Sequence, residues 1–172
     1  MSSWQAPPSF AEYVRQRHPA LVRFARVLCG DAHLADDLVQ DALVGSALRW
    51  GRVQRQDDPE AYVRRAIVNG YLNRRRKLRR ETLSDQVPER PGVDPPPLRP
   101  LDGQLWQLLA GLPRQQRAVL VLRYYEDLSE AQIAEVLGCS SGTVKSTTSR
   151  AMAKLRAALT DPRVSTGEGE YR

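Results

Sequence analysis

A proline-dense segment in the middle of the chain most limits what this chain can fold into. Six of the twelve prolines lie in the stretch ETLSDQVPERPGVDPPPLRP, residues 81–100. Proline lacks a backbone N–H and has a fixed φ, so neither a helix nor a central strand tolerates this density. The segment is therefore predicted to be an extended, semi-stiff linker between two separately folded parts of the 172-residue chain.

The first part, residues 9–80, has the apolar spacing of helices and no pattern that would support a sheet. Three helices are predicted, running from Ser9 to just before Gly30, from Ala32 to about Trp50, and from Glu60 to about Arg80. Asp31 is placed to cap the second helix, and Pro59 suits the first turn of the third. Residues 51–59 are polar and are predicted to form a loop.

The second part, residues 101–159, is also predicted to be helical. Helices are expected over Leu101–Ala110 and Pro113–Tyr125, with Tyr125 available to the core. The stretch LSEAQIAEVLGCSSGTVKSTTSR, residues 128–150, then reads as two short helices around a glycine turn. Residues 160–172 are Gly- and Glu-bearing and are expected to be a disordered tail.

Local signals in this last stretch predict a helix-turn-helix unit. Ser129 and Gln132 have the spacing of a capping box at the start of its first helix. Gly138 stands where the chain must turn sharply through a left-handed conformation, and Ser140 can cap the next helix. The buried side of that second helix is expected to consist of Val144, Met152, Leu155 and Leu159, with the methyl group of Thr148 between them.

The other side of the second helix carries polar and basic residues suited to the major groove of DNA. Short hydroxyl side chains can meet base edges there, while Arg and Lys can meet guanine or phosphate. The alternative is an ordinary amphipathic helix with a solvated face. The candidate DNA contacts are Ser141, Thr143, Lys145, Ser146, Ser149, Arg150 and Lys154.

Positive charge is concentrated in the first part of the chain. Residues 1–80 hold 15 Lys and Arg against 8 Asp and Glu. On the third helix, Arg65, Asn69, Asn73 and Arg76 share one stripe. Asn can pair with base edges and Arg with phosphate, which favours nucleic acid over a membrane surface or a merely solvated helix end.

The second helix carries the opposite charge. Asp36, Asp37 and Asp41 lie within two turns of each other. The first two could simply complement the positive N-terminus of the helix. An acidic patch beside a basic DNA-binding face is also what a protein docking site would look like.

Catalytic, metal and membrane functions find little support in the sequence. The two histidines are isolated, no Cys/His cluster has zinc-ligand spacing, and no glycine-rich phosphate loop is present. No segment approaches the length of a membrane span. We therefore expect a cytoplasmic protein that is not an enzyme, binds no metal or cofactor, and does not insert into membranes.

Three stretches together resemble one family. They are GDAHLADDLVQDAL, then DPEAYVRRAIVNGYLNRRR, and, after the linker, LAGLPRQQRAVLVLRYYEDLSEAQIAEVLGCSSGTVKSTTSRAMAKLR. Their order resembles bacterial RNA polymerase sigma factors of the extracytoplasmic-function (ECF) group, and the SigE-like branch common in actinobacteria looks most similar. The resemblance covers residues 9–159 and implies an all-α protein whose parts are similar to sigma regions 2 and 4.

The resemblance also implies a role for each part. The acidic second helix would dock the largest subunit of core RNA polymerase, through Asp36, Asp37, Gln40 and Asp41. The third helix would hold the promoter −10 element, with loop residues 51–58 near a flipped base. The implied −10 contacts are Arg64, Arg65, Asn69, Asn73, Arg74 and Arg75.

The second part would read the promoter −35 element through its recognition helix, and the linker would thread toward the polymerase active site. This helix departs from the pattern of many ECF members, which carry Arg and Leu where this chain has Thr147 and Thr148. The implied function is to direct core polymerase to specific promoters and help to open the DNA, with an anti-sigma factor as a further partner. The alternative is a stand-alone helix-turn-helix transcriptional regulator.

Overall fold

The structure, a computed structural model, describes residues 8–81 and 103–161, and every regular element within these ranges is a helix. The chain divides into two compact units, with the boundary at residues 96 and 97. The all-α prediction is thus confirmed. The predicted linker (81–100) and tail (160–172) lie almost entirely outside the described residues.

Four helices build the first unit: α1 (Pro8–Cys29), α2 (Ala32–Ala47), α3 (Trp50–Val53) and α4 (Pro59–Glu81). The prediction that the second helix reaches Trp50 was wrong by one short turn, since α2 ends at Ala47. Residues 51–59 were predicted to be a loop, yet they begin inside α3. Trp50 and Val53 are both buried, so hydrophobic burial draws this turn inward and makes it helical.

Helix α2 lies at the centre of the first unit, because it packs against both α1 and α4. Its start is set by Asp31, whose side chain accepts a hydrogen bond from the backbone N–H of Leu34 at 2.8 Å, as predicted. Helix α4 crosses α2 closely at Gly70. A Cβ atom there would lie 3.2 Å from Cδ2 of Leu38, which is tighter than ordinary van der Waals contact.

The second unit contains α5 (Gly103–Ala110), α6 (Arg114–Leu120), a π-helical segment (Val121–Tyr125), α7 (Glu130–Leu137) and α8 (Ser141–Thr160). The helix predicted from Pro113 to Tyr125 is therefore present, but its last five residues wind more widely. Tyr125 was expected in the core and is instead exposed. Helix α8 packs against α5, α6 and α7, and it closes the core of this unit around Leu109, Leu120 and Ala151.

The predicted helix-turn-helix signals are all confirmed at the level of the backbone. Ser129 and Gln132 form a complete capping box at the start of α7. Gly138 ends α7 in the left-handed conformation, with φ 64° and ψ 37°. Ser140 caps α8, and its hydroxyl accepts from the backbone N–H of Thr143 at 3.1 Å. Local chemistry thus determines where both helices begin and how the turn between them is made.

The buried side of α8 differs in part from the prediction. Val144 is buried as expected, but Thr147 and Ala151 fill the next two steps, and Thr148 is only half-buried. Leu159 is 63% exposed, although it follows the same spacing. We attribute this to the length of α8, whose final turn extends beyond the buried stretch that α5–α7 cover.

The helices described here include none that is both long enough and apolar enough to cross a lipid bilayer.

The turn at Gly138 can be tested by comparing two glycine substitutions that are four residues apart. Gly138→Ala places a Cβ on a left-handed residue, so we expect it to destabilise the second unit by about 1 kcal/mol. Gly142→Ala is the matched control, since it lies in α8 and its Cβ would meet only the Ser140 hydroxyl at 3.7 Å. Amide hydrogen exchange in α7 and α8 measures the difference in stability of the second unit between the two variants. Equal protection in the two variants would contradict this account of the turn.

Candidate nucleic-acid interface

The exposed face of α2 combines acidic and apolar residues. Asp36, Asp37, Gln40 and Asp41, predicted as docking residues, are all exposed. Two large apolar side chains continue the row that begins at Asp37 and Asp41, because Val44 and Leu48 follow at helical spacing. Val44 is 57% exposed and Leu48 is 72% exposed. This exposed row, Asp37–Asp41–Val44–Leu48, is called the α2 stripe below.

The apolar end of the α2 stripe was missed at the level of sequence. Val44 and Leu48 look like further members of the buried face, which contains Leu38, Ala42 and Leu43. Only their spacing from Asp37 and Asp41 distinguishes them from that core. An exposed apolar pair next to a row of carboxylates is typical of a surface that another protein covers.

Helix α4 places the predicted polar stripe in solvent. Arg65, Asn69 and Asn73 are exposed, while Ile67 and Tyr71 on the opposite side are buried. The same helix therefore packs against the unit on one side and presents a guanidinium and two amides on the other. The side chains of Arg75 and Arg76 lie outside the described residues.

Arg64 lies in a different environment from its neighbours on α4. Its side chain is only 12% exposed, and its guanidinium lies 3.4 Å from a carboxylate oxygen of Glu60. The same carboxylate also forms an ion pair with Arg17 of α1. Arg64 was predicted as a DNA contact, but the structure directs it toward α1. The i, i+4 spacing of Glu60 and Arg64 is the sequence signal that could have indicated this pairing.

Arg74 connects α4 to α2. Its guanidinium lies 3.3 Å from a carboxylate oxygen of Asp37, with both side chains partly exposed. An ion pair in this environment contributes about 0–1 kcal/mol, so it can exchange for contacts with a partner. The structure thus brings one residue predicted for DNA binding next to one predicted for docking.

The chain between α3 and α4, here called the α3–α4 loop (residues 54–58), is held by side chains of α1. The Ser9 hydroxyl accepts from the indole N–H of Trp50 at 3.0 Å and donates to Oε1 of Gln54 at 3.1 Å. At the other end of the loop, Asp58 caps α4 by accepting from the backbone N–H of Ala61 at 3.0 Å. Sequence reasoning missed Ser9 and Trp50, since more than 40 residues separate them.

A shallow groove of about 340 Å³ runs between α2 and α4. Small residues such as Gly45, Ala66 and Gly70 line it, which is why the two helices leave space there. Arg49 and Tyr62 add polar atoms to its wall. Asp41 and Leu48 of the α2 stripe also line the groove.

All seven predicted contact residues of α8 are exposed. They form two rows along the exposed side of the helix, with one residue between the rows. Ser141, Lys145 and Ser149 follow one another at four-residue intervals along one flank. The other flank carries Thr143, Arg150 and Lys154, and Ser146 lies between the two. Thr147 is buried, so the departure from the ECF pattern at this position changes the packed side of the helix rather than its outer face.

Two family models match this chain, and together they account for both units. "Sigma-70 region 2" matches residues 13–81, and "Sigma-70, region 4" matches residues 102–155. The order of the two matches is the order in which the two helical units occur. A stand-alone helix-turn-helix regulator would not require the first of them.

The chain belongs to the sigma-70 family of RNA polymerase sigma factors. It is 41% identical over 152 residues to the RNA polymerase sigma-E factor of Streptomyces coelicolor, covering 87% of this chain and 85% of that one. It is 33% identical to the ECF RNA polymerase sigma factor SigE of Mycolicibacterium smegmatis, covering 88% of this chain and 62% of that protein. These relatives place it in the ECF group, on the SigE-like actinobacterial branch.

A solved sigma factor structure has the same fold. The sigma factor RpoE of Bartonella quintana, in complex with the anti-sigma factor NepR, superposes with a TM-score of 0.74 at 27% identity. The match covers 89% of this chain and 98% of that one. Sigma factors bind core RNA polymerase and promoter DNA, so the exposed helix faces described above lie on the two regions that do this in the family.

Tyr13 of α1 makes the region 2 unit of this sigma factor sensitive to alkali. Burial, followed by the nearby Glu60 carboxylate, raises the pKa of Tyr13 to about 12. Since an unfolded tyrosine deprotonates near pH 10, the unfolded state loses this proton first. The stabilising contribution is complete below pH 10 and is lost as the pH rises toward 12.

We therefore expect the free energy of unfolding to fall less steeply between pH 10 and 12 in Tyr13→Phe than in the unaltered protein. At pH 7 the substitution should change stability by no more than about 1 kcal/mol, because the Tyr13 hydroxyl has no hydrogen-bond partner among the described residues. Urea unfolding at several pH values measures both effects. Identical pH slopes for the two proteins would be inconsistent with the raised pKa.

Proposed function

We propose that this sigma factor reads a promoter with one helix face in each unit. Residues 9–80 dock core polymerase and hold the −10 element, and residues 101–159 read the −35 element. The observation that carries this proposal is the division of α4 into two sides. Ile67 and Tyr71 anchor it in the unit, while Arg65, Asn69 and Asn73 remain in solvent where DNA can reach them.

The −10 surface combines groups suited to a melted strand. Amide side chains of Asn69 and Asn73 pair with exposed base edges, while Arg65, Arg74 and Arg75 neutralise phosphates. The α3–α4 loop accepts a base that has left the stack. Capturing such a base offsets an unstacking cost of a few kcal/mol, so the DNA can open without nucleotide hydrolysis.

Core polymerase docks on the α2 stripe together with Asp36 and Gln40. Carboxylates steer a basic partner toward this surface and give it orientation. The exposed Val44 and Leu48 side chains then supply apolar area that becomes buried in the complex, which lowers the rate of dissociation. The charged and apolar side chains thus lie in one continuous row along α2 and its C-cap residue, Leu48.

The −35 element is read by α8, whose first turns enter the major groove. Ser141, Thr143 and Lys145 lie at the capped N-terminus and approach base edges. Ser146, Ser149, Arg150 and Lys154 continue the contact along the groove and its phosphates. The capped turn at Gly138 and Ser140 holds α8 at the angle that this insertion requires.

Residues 81–100 connect the two reading surfaces. A proline-rich chain of 20 residues reaches up to roughly 60 Å at about 3.1 Å per residue. Two promoter elements are therefore within reach of one chain, and tethering raises the effective concentration of the second unit once the first has bound. Residues 160–172 have no part in this proposal.

The chain contributes no bond-forming chemistry, which belongs to the polymerase, and acts in the bacterial cytoplasm. It needs no cofactor or metal for this. An anti-sigma factor is a further partner, because the similar RpoE chain of Bartonella quintana was solved in complex with the anti-sigma factor NepR. A protein that covers both α2 and α4 would block docking and −10 binding together.

The −35 assignment can be tested with two charge-removing substitutions on α8. We expect Lys145→Ala to weaken holoenzyme binding to the promoter about tenfold, since it removes a groove contact near the N-terminus of the helix. It should also reduce the slope of the logarithm of the binding constant against the logarithm of the salt concentration by about 1. Arg156→Ala is the matched control, because Arg156 is exposed on the same helix three turns further along. Filter binding at several salt concentrations measures the promoter affinity of both variants and its salt dependence. An equal loss of affinity in Lys145→Ala and Arg156→Ala would contradict the assignment.

The docking assignment can be tested with two exposed leucines. Leu48→Ala removes apolar area from the α2 stripe, and we expect it to weaken core polymerase binding about tenfold without lowering the melting temperature. Leu159→Ala is the control, because Leu159 is similarly exposed but lies at the end of α8. Fluorescence anisotropy with labelled sigma factor and purified core polymerase measures the affinities. Full affinity in Leu48→Ala would contradict the assignment.

A further inference from the structure

The face of α1 that meets the α3–α4 loop has a regular spacing. Ser9, Tyr13 and Arg17 follow at four-residue intervals, so they lie in one row along the helix. Together these three residues are called the α1 face below. Helix α1 carries none of the residues proposed above to contact DNA or polymerase.

Each member of the α1 face contacts a different part of the loop or its anchors. Ser9 bonds to Trp50, the first residue of α3, and to Gln54, the first residue of the loop. The ring of Tyr13 packs on that of Trp50, with centroids 5.0 Å apart. Arg17 forms an ion pair with Glu60, just after the loop has ended. One row of three side chains therefore contacts the residues at both ends of the loop.

The loop has few other means of holding its shape. Backbone turns are formed by Gln54 with Trp50 and by Gln56 with Val53, and Asp58 caps α4. Residues 54–58 are all exposed, so hydrophobic burial does not determine their conformation. The side-chain contacts from α1 are thus the tertiary interactions that relate the start of the loop to its end.

The residues that the α1 face contacts are themselves held by further contacts. Trp50 is buried and is also contacted edge-on by Phe10, with ring centroids 5.1 Å apart. Glu60 accepts from Arg64 as well as from Arg17, which holds its carboxylate between α1 and α4. This gives Arg64 a structural reason for facing inward.

We propose that the α1 face positions the α3–α4 loop for an unpaired promoter base, and so sets base selectivity in the −10 element without contacting DNA. This inference rests on the proposed function, in which the loop accepts that base. Ser9 and Arg17 are positioning residues for the two ends of the loop. A pocket whose two ends are fixed discriminates between bases, whereas a loose one accepts several.

The test uses holoenzyme assembled from core polymerase and the full chain, with a promoter library randomised in both elements. Sequencing of transcripts yields the preference for each base at each position. We expect Ser9→Ala to flatten the preference at one or two −10 positions about three- to tenfold, which is the ratio that the loss of one hydrogen bond produces. Preferences in the −35 element should remain within about twofold of those of the unaltered protein.

Three further variants separate positioning from a general loss of structure. Arg17→Gln removes the ion pair with Glu60 at the other end of the loop. It should reduce the base preference at the same −10 position as Ser9→Ala does. Ser9→Thr retains the hydroxyl and should retain the preference. Gln16→Ala, which alters an exposed α1 residue bonded to Glu12, should also leave the profile unchanged.

The outcomes distinguish this inference from the proposed function. If the unaltered holoenzyme shows no −10 preference, the proposed function fails. If the unaltered holoenzyme shows a −10 preference and the Ser9→Ala and Arg17→Gln variants show the same preference, the positioning role is overturned and the proposed function stands. A uniform loss at both elements with a lowered melting temperature would also overturn it, since this indicates a merely structural role.

Discussion

The close packing of α4 on α2 is the constraint on which the first unit depends. At Gly70 the two helices approach so closely that a Cβ atom would lie 3.2 Å from Cδ2 of Leu38, so the backbone of α4 packs directly on a side chain of α2. The α2 stripe and the polar face of α4 are therefore held in fixed register, with Arg74 and Asp37 bridging them. The surface proposed for polymerase docking and the surface proposed for DNA binding therefore lie on two faces of the same unit.

The second unit positions its exposed helix face by local interactions, whereas the first unit uses contacts between distant residues. Helix α8 is positioned by caps and by one left-handed residue, so the geometry of the turn before it is set within a dozen residues around Gly138. The first unit depends instead on contacts between residues that are far apart in sequence, such as Ser9 with Trp50. This difference accounts for the ease with which a helix-turn-helix is found in a sequence and the difficulty of finding a positioned loop.

The sequence predicted the caps and the described helices other than α3, because these depend on neighbours within about one turn. It did not predict that Arg64 faces α1, since helical spacing alone does not say which polar residue finds a buried partner. Nor did it distinguish the exposed Val44 and Leu48 from the core of α2. Burial is a property of the assembled unit, and for these residues the apolar pattern is the same in either position.

As a sigma factor, this chain confers promoter recognition on core polymerase rather than acting on DNA alone. Transcription in vitro with sigma-free core polymerase and a pool of actinobacterial genomic fragments tests it most directly. We expect initiation at sites that share a pair of upstream elements, and we expect it to require both the chain and the polymerase. Tight, sequence-specific binding by the chain alone, with no initiation when core polymerase is added, would contradict it.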